Sequence, residues 1–166
     1  MISIIPFGAY EQHGPHLPFE CDTIIAEAFA QSIEEKSKIN VKIEPSEAIG
    51  YSIEHLDFKG SQSLKYDDAI QKWLGRIDEL QQNGIKKILL LNAHGGNSPL
   101  LSIVATEARV RWNCLVVVTH WHRFTFPSTV TDKIDRTIDI HAGAIETSLL
   151  LYIKPESVKS DHFHDY

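Results

Sequence analysis

Glu11 and His13 stand two residues apart in Phe7-Gly-Ala-Tyr-Glu-Gln-His-Gly-Pro-His16. In an extended segment such a pair projects to one side, so a carboxylate and an imidazole face the same space, as ligands of neighbouring metal ions must. Taken alone the pair describes a solvated loop equally well, because a carboxylate two before a histidine is common by chance. Asp22 offers a further oxygen, although it opens a helical stretch where capping is the commonest use of Asp. His94 lies just after a wholly apolar run and before Gly95-Gly96-Asn97, where small residues let a ligand come close to the backbone. His141 and Glu146 open the last apolar helix in His141-Ala-Gly-Ala-Ile-Glu-Thr-Ser148. Five apart, they share no helical face, so one precedes the regular helix. An ordinary first turn, with Glu favoured by the helix dipole, explains them as well as a site does. As a set, these are the residue types of a metal-dependent hydrolase, in which bound cations make a nucleophile from water near neutral pH.

The other histidines have plainer readings. His16 follows Pro15 and braces its loop, while His120 and His122 flank Trp121 at a strand end, facing solvent or a pocket mouth. His162 and His164 lie in a polar C-terminal stretch that reads as exposed. His55 sits in a long loop, in reach of a substrate.

The elements that must position these groups alternate. Residues 2 to 6 read as a short buried strand ending at Pro6, and a helix runs from Asp22, which stands at its N-cap. Val41-Lys-Ile-Glu44 is a second strand, residues 49 to 64 a long functional loop, and Tyr66 to Asn83 a helix closed by Gly84. Lys86 to Asn92 is apolar enough for a central parallel strand, Ser98 to Trp112 has the period of its crossover helix, and Cys114 to Thr119 is the next strand. This alternation argues for a three-layer α/β/α sandwich with a mostly parallel central sheet and a site beyond the carboxyl ends of its strands.

At 166 residues, with 43% hydrophobic and 23% charged side chains, the chain suits a single domain over 1–166 with one well-buried core. Its net charge of -6 and lack of a basic patch argue against nucleic acid as a partner. No segment approaches the roughly 20 apolar residues of a membrane span. Cys21 and Cys114 have neither zinc-finger spacing nor a disulfide framework, and a reduced, cytoplasmic compartment is expected.

In order along the chain, Pro6-Phe-Gly-Ala-Tyr-Glu-Gln-His-Gly-Pro-His-Leu-Pro18 with Asp22, Asn92-Ala-His-Gly-Gly-Asn97 and Asp139-Ile-His-Ala-Gly-Ala-Ile-Glu-Thr-Ser148 resemble the creatininase (creatinine amidohydrolase) family. Ser52-Ile-Glu-His-Leu-Asp-Phe-Lys-Gly-Ser-Gln-Ser-Leu64 is similar to a further family segment, as Val118-Thr-His-Trp121 is to the strand end leading into the pocket. The resemblance implies an α/β/α sandwich with two divalent ions, zinc or manganese with iron a further candidate. It implies Glu11, His13, Asp22 and His94 as ligands, with Asp22 bridging and displacing the capping reading, and Glu146 as the glutamate of the His-x-Gly-x-x-Glu-Thr-Ser segment.

Creatininase itself carries a metal-binding glutamate where this chain has Gly96, which leaves Glu146 to complete the second ion. It also has a glutamate where this chain has Ile140, which points away from creatinine as substrate. The activity implied is hydrolysis of an amide, formamide or cyclic amide C–N bond of a small molecule by a hydroxide held between the ions. His141 then protonates the leaving nitrogen, Asp139 orients that ring, and Gly95, Trp121 and His55 contact substrate. A homo-oligomer, a hexamer in the family's habit, is expected. The alternative is a shortened relative that binds metal or ligand without turnover.

Overall fold

The computed structural model describes residues 1–124, 126–127, 129, 134–135 and 137–163. Its centre is a four-stranded sheet of order β2-β1-β3-β4, with every pair parallel. The strands are β1 (Ile2–Phe7), β2 (Val41–Ile43), β3 (Lys87–Asn92) and β4 (Leu115–His120). Helices α1 (Cys21–Lys36), α2 (Tyr66–Gln82), α3 (Ser98–Trp112) and α4 (Ala144–Ile153) cover its two faces.

The period of two along each strand decides which helix each side chain meets. Ile5, Phe7, Ile88 and Leu90 point to the α2/α3 layer and pack with Trp73, Ile77, Leu101 and Val104. Phe7 meets Trp73 edge to face, with ring centroids 5.2 Å apart. Ile4 and Leu91, one residue out of phase, point the other way toward Ala30 and Ile33 of α1. On that side Cys21, Ile25 and Ala26 of α1 share a cluster with Ile145 and Leu150 of α4. The three layers expected from the alternation are present. None of the described helices is long and apolar enough to cross a membrane.

Two boundaries differ from the expectation. β1 runs through Pro6 to Phe7, although proline lacks a ladder donor. Pro6 faces the β2 side, where its carbonyl accepts from Glu47 N at 2.9 Å, and β2 has already ended at Ile43, so no ladder bond is lost there. The second difference is Asp22, which is not the N-cap. Glu20 occupies that position without a side-chain bond, and Asp22 lies inside the first turn of α1, buried. At the other end of the sheet α2 closes as expected, with Gly84 at φ +82°.

Candidate metal centre

Because the strands are parallel, their carboxyl ends open on one side of the sheet, and the loops leaving β1, β3 and β4 meet there. The β1 loop is pinned on both flanks: Gln62 N donates to Tyr10 O at 2.8 Å, Glu11 N to Phe19 O at 3.2 Å and Gln12 N to Ser61 Oγ at 3.0 Å. Held extended, it buries Glu11 and His13 and leaves Gln12 between them partly exposed. Beyond β3, Asn92 brackets His94, accepting from its N–H at 3.2 Å and donating to its carbonyl at 2.6 Å. Asn97 ties the loops together by donating to Gly8 O at 3.0 Å and accepting from Tyr51 N at 2.8 Å. Before α4, Ala142 takes a left-handed φ of +51°, and its N–H donates to Glu146 Oε2 at 2.6 Å, which turns that carboxylate inward.

Backbone carbonyls fix how each imidazole presents itself, since a carbonyl can only accept. His13 gives its Nδ1–H to Glu11 O at 3.0 Å, leaving Nε2 toward Asp22 Oδ1 at 3.4 Å. His94 gives its Nε2–H to Tyr51 O at 2.9 Å, leaving Nδ1 3.1 Å from Glu11 Oε1 and 3.4 Å from Asp22 Oδ2. Such second contacts are what orient metal-ligating histidines. Glu11 Oε1, Asp22 Oδ2 and His13 Nε2 are buried, and they make ion-pair contacts within the cluster, from His94 Nδ1 to the two carboxylates at 3.1 and 3.4 Å and from His13 Nε2 to Asp22 Oδ1 at 3.4 Å. Ionisable groups buried together are costly unless their charges balance, and these converge on one space, so a cation would serve all of them. Ligand atoms of Glu11, His13 and Asp22 lie within 4.8 Å of one another, as do those of His13, Cys21 and Glu146. The residues present therefore fit a divalent ion with mixed oxygen and nitrogen ligands.

The charges read the same way. Burial works to lower His13 and His94, but the hydrogen bonds and charge of Asp22 outweigh it, joined by Glu146 at His13 and Glu11 at His94. They carry the two rings up to about 9 and about 11. Burial, reinforced by the charge of Asp22, lifts Glu146 to about 7. Burial opposes ionisation of Glu11 and Asp22, yet His94 beside the first and His13 beside the second hold both carboxyls below their ordinary range. Protons on two histidines thus neutralise a cluster of carboxylates, the task a divalent ion performs in such a cage. Cys21 also touches the cluster, but burial and the charges of Glu146 and Asp22 push its thiol well up, so it stays protonated and is the weaker ligand candidate.

Over residues 1–166 the chain matches the protein family described as creatinine amidohydrolase. It belongs to the creatininase family. It is 32% identical to the mycofactocin precursor peptide peptidase of Mycolicibacterium smegmatis over 95% of this chain and 60% of that protein. The chain thus spans about 60% of that relative's length. A solved creatininase in a manganese form superposes with a TM-score of 0.83 at 25% identity, covering 97% of this chain and 68% of that one. A mutant creatininase of Zn-Zn type does so with a TM-score of 0.81 at 26% identity over the same shares.

Gly96, at the expected departure from creatininase, has structural consequences. A Cβ at this position would run into Tyr51 O and come within 2.5 Å of His94 Nε2. The loop that fixes the His94 tautomer therefore excludes any side chain at 96. Glu146, arriving from α4, is the carboxylate the fold brings to His13 instead.

A cavity of about 340 Å³ opens onto the cluster. Glu11, Asp22, His94, His141 and Glu146 line it, as do Gly95 and Trp121. His13 lies behind this wall, 1% exposed. His55 is not on the wall either. It backs the site, with Nδ1 3.2 Å from Glu11 Oε2 and its ring stacked on His141 at 4.5 Å. Asp139 does not orient His141: its Oδ2 accepts from Ile145 N at 3.0 Å and so caps α4, while His141 is held by donating Nε2–H to Gln12 O at 2.7 Å. His16 braces its loop as expected, with Nε2 2.9 Å from Thr147 Oγ1. His162 is exposed, and His164 lies outside the described residues. Sequence reasoning missed Ser52, fully buried and hydrogen-bonded to Glu11 Oε2; of the two readings open for His120, solvent or a pocket mouth, the structure gives the pocket, whose wall it forms at 8% exposure. The signal for His120 was its place at the carboxyl end of β4, in register with Asn92 of β3.

Proposed function

We propose that this chain is a metal-dependent amidohydrolase acting on a C–N amide, formamide or cyclic amide bond of a small molecule, at a centre for two divalent ions. Glu11, Asp22 and His94 would hold one ion, and His13, Asp22 and Glu146 the other, zinc or manganese being the favoured metals. The observation that carries this reading is the convergence of buried ligand atoms from Glu11, His13, Asp22 and His94, the first, third and fourth of these residues lining a cavity of about 340 Å³. Bound there, divalent ions lower the pKa of water toward neutrality and polarise a carbonyl.

His141 supplies the proton traffic. Its Nε2 is committed to Gln12 O, so the free nitrogen is Nδ1, 3.7 Å from Glu11 Oε1. Burial, aided by the positive charge of His13, lowers its pKa, which keeps the ring neutral and Nδ1 able to take a proton. It takes that proton from the attacking water and hands it to the leaving nitrogen, a role suited to a group that changes charge near working pH. Trp121, held by its Nε1–H to Ala93 O at 3.3 Å, forms an apolar wall beside the reacting bond.

A peptide amide as substrate is the second reading, favoured by the 32% identity to a precursor peptide peptidase. The test is metal analysis of the zinc- or manganese-loaded chain, followed by assays on formanilide, hydantoin and a peptide anilide. Two ions per chain with aniline release from formanilide or ring opening of hydantoin to N-carbamoylglycine is the expected result. Release from the peptide alone would move the substrate to the second reading, and two ions without turnover on any of them would overturn hydrolysis.

A further inference from the structure

His120 takes no part in the proposed metal centre or proton transfer. It ends β4, is more than nine-tenths buried, and lines the cavity shared by Glu11, Asp22 and His94. Its ring is fixed from two directions. The His122 ring lies tilted against it with centroids 3.7 Å apart, and His122 N–H donates to its Nδ1 at 3.5 Å, closing the short turn Trp121–Arg123. A nitrogen that accepts a hydrogen bond carries no proton, so in the neutral ring the proton sits on Nε2. Nε2 is buried and has no partner among the described residues. A buried N–H left unpaired costs free energy unless something in the adjoining cavity accepts from it.

We propose that His120 binds substrate, its Nε2–H donating to the carbonyl oxygen of the amide being cleaved. The inference rests on the amidohydrolase reading and deepens it by assigning the oxygen's donor. A neutral imidazole is well suited, because it adds a preorganised dipole where negative charge develops without bringing a second cation beside the metals. Burial, with the positive charge of His122 next, holds the ring down to about 4, and cations bound nearby would keep it neutral. His141 and His120 then divide the work: the first moves protons, and the second holds the oxygen. The geometry also implies a substrate whose amide carbonyl is accessible on the Trp121 side of the cavity, as in a formamide or an unsubstituted cyclic amide.

The test compares the metal-loaded full chain with His120→Gln, whose amide N–H reaches the place of Nε2, and with His120→Phe, which keeps a ring but has no donor. The substrate is whichever of formanilide, hydantoin and the peptide anilide is turned over fastest. His120→Phe should lose roughly 100-fold in kcat with metal content unchanged, as for removal of one oxyanion donor, and His120→Gln should recover most of that loss. Equal activity in wild type and His120→Phe would overturn the proposal. So would equal losses in both variants, which would make the ring a matter of shape, or loss of metal, which would make it a ligand. If none of the three amides is cleaved, the functional reading has failed separately, and the ring is tested on its own. The ¹⁵N signals of His120, assigned by their absence in His120→Gln, should show the Nε2–H tautomer at neutral pH; an Nδ1–H or doubly protonated ring there would overturn it.

Discussion

At His141 one ring nitrogen is anchored to Gln12 O and the other lies 3.7 Å from Glu11 Oε1, and the role proposed for the ring is proton transfer rather than metal binding. Replacing it by alanine should lower turnover by about 10²- to 10⁴-fold, the usual share of a proton-transfer group, while metal content stays at the wild-type level. Loss of metal from that variant would place His141 among the ligands. Gly96 tests the opposite kind of residue, one whose value lies in having no side chain. Gly96→Ala must displace His94 or Tyr51, because its Cβ has no room. Metal affinity should fall by about 10- to 100-fold, as when a partner that orients a ligand is lost, and competition titration against a chelating dye would show it. An unchanged affinity would mean that the His94 to Tyr51 contact does not position the ligand.

At the level of elements, the strands and helices were readable because their apolar residues repeat with a period of two or between three and four. Helix α3 was readable to the residue, between Asn97 and an Asn113 that takes a left-handed φ of +51°. Asp22 was not. Its type and place match a cap, only the family resemblance pointed to a ligand, and its burial inside the first turn of α1 beside His13 and His94 agrees with that reading. Asp139 misled in the opposite way. Two residues before His141 it reads as an orienting carboxylate, whereas the turn at Ala142 swings it onto the N-terminus of α4. Asp139→Ala should therefore behave as the loss of a helix cap, costing about 1 kcal/mol. In a chain of this length that lowers Tm by about 2–4 °C. The midpoint shift in thermal unfolding, with kcat per bound metal preserved, is the expected pair of readings. A large fall in kcat at full metal content would restore Asp139 to the ring.

Over the whole molecule, the site is an assembly of residues from 11 to 146 that no local pattern reveals, since each candidate alone had an ordinary structural reading. The order of the motifs made the family recognisable. The convergence of these buried ligand atoms is a property of the folded chain alone. That convergence makes stability depend on pH and on metal together. Without a cation, the pairing that raises His13 to about 9 contributes fully below its ordinary value of 6.5 and is lost as pH rises through about 9. Glu146 acts in the same direction, its contribution full below 4.5 and lost as pH rises through about 7. The metal-free chain should thus lose Tm steadily between about pH 6 and pH 9, while the loaded chain holds its Tm over that window, and metal uptake near pH 6 should release protons. Calorimetry in buffers of different ionisation enthalpy measures that release, and uptake without it would contradict the charge balance described for the cluster. In the proposed centre Glu146 supplies the carboxylate that Gly96 cannot and completes a second ion. Metal content of dialysed wild type and Glu146→Gln tests it most directly. Two ions per wild-type chain and one in the variant are predicted, and two ions retained by Glu146→Gln, or a single ion in the wild type, would contradict it.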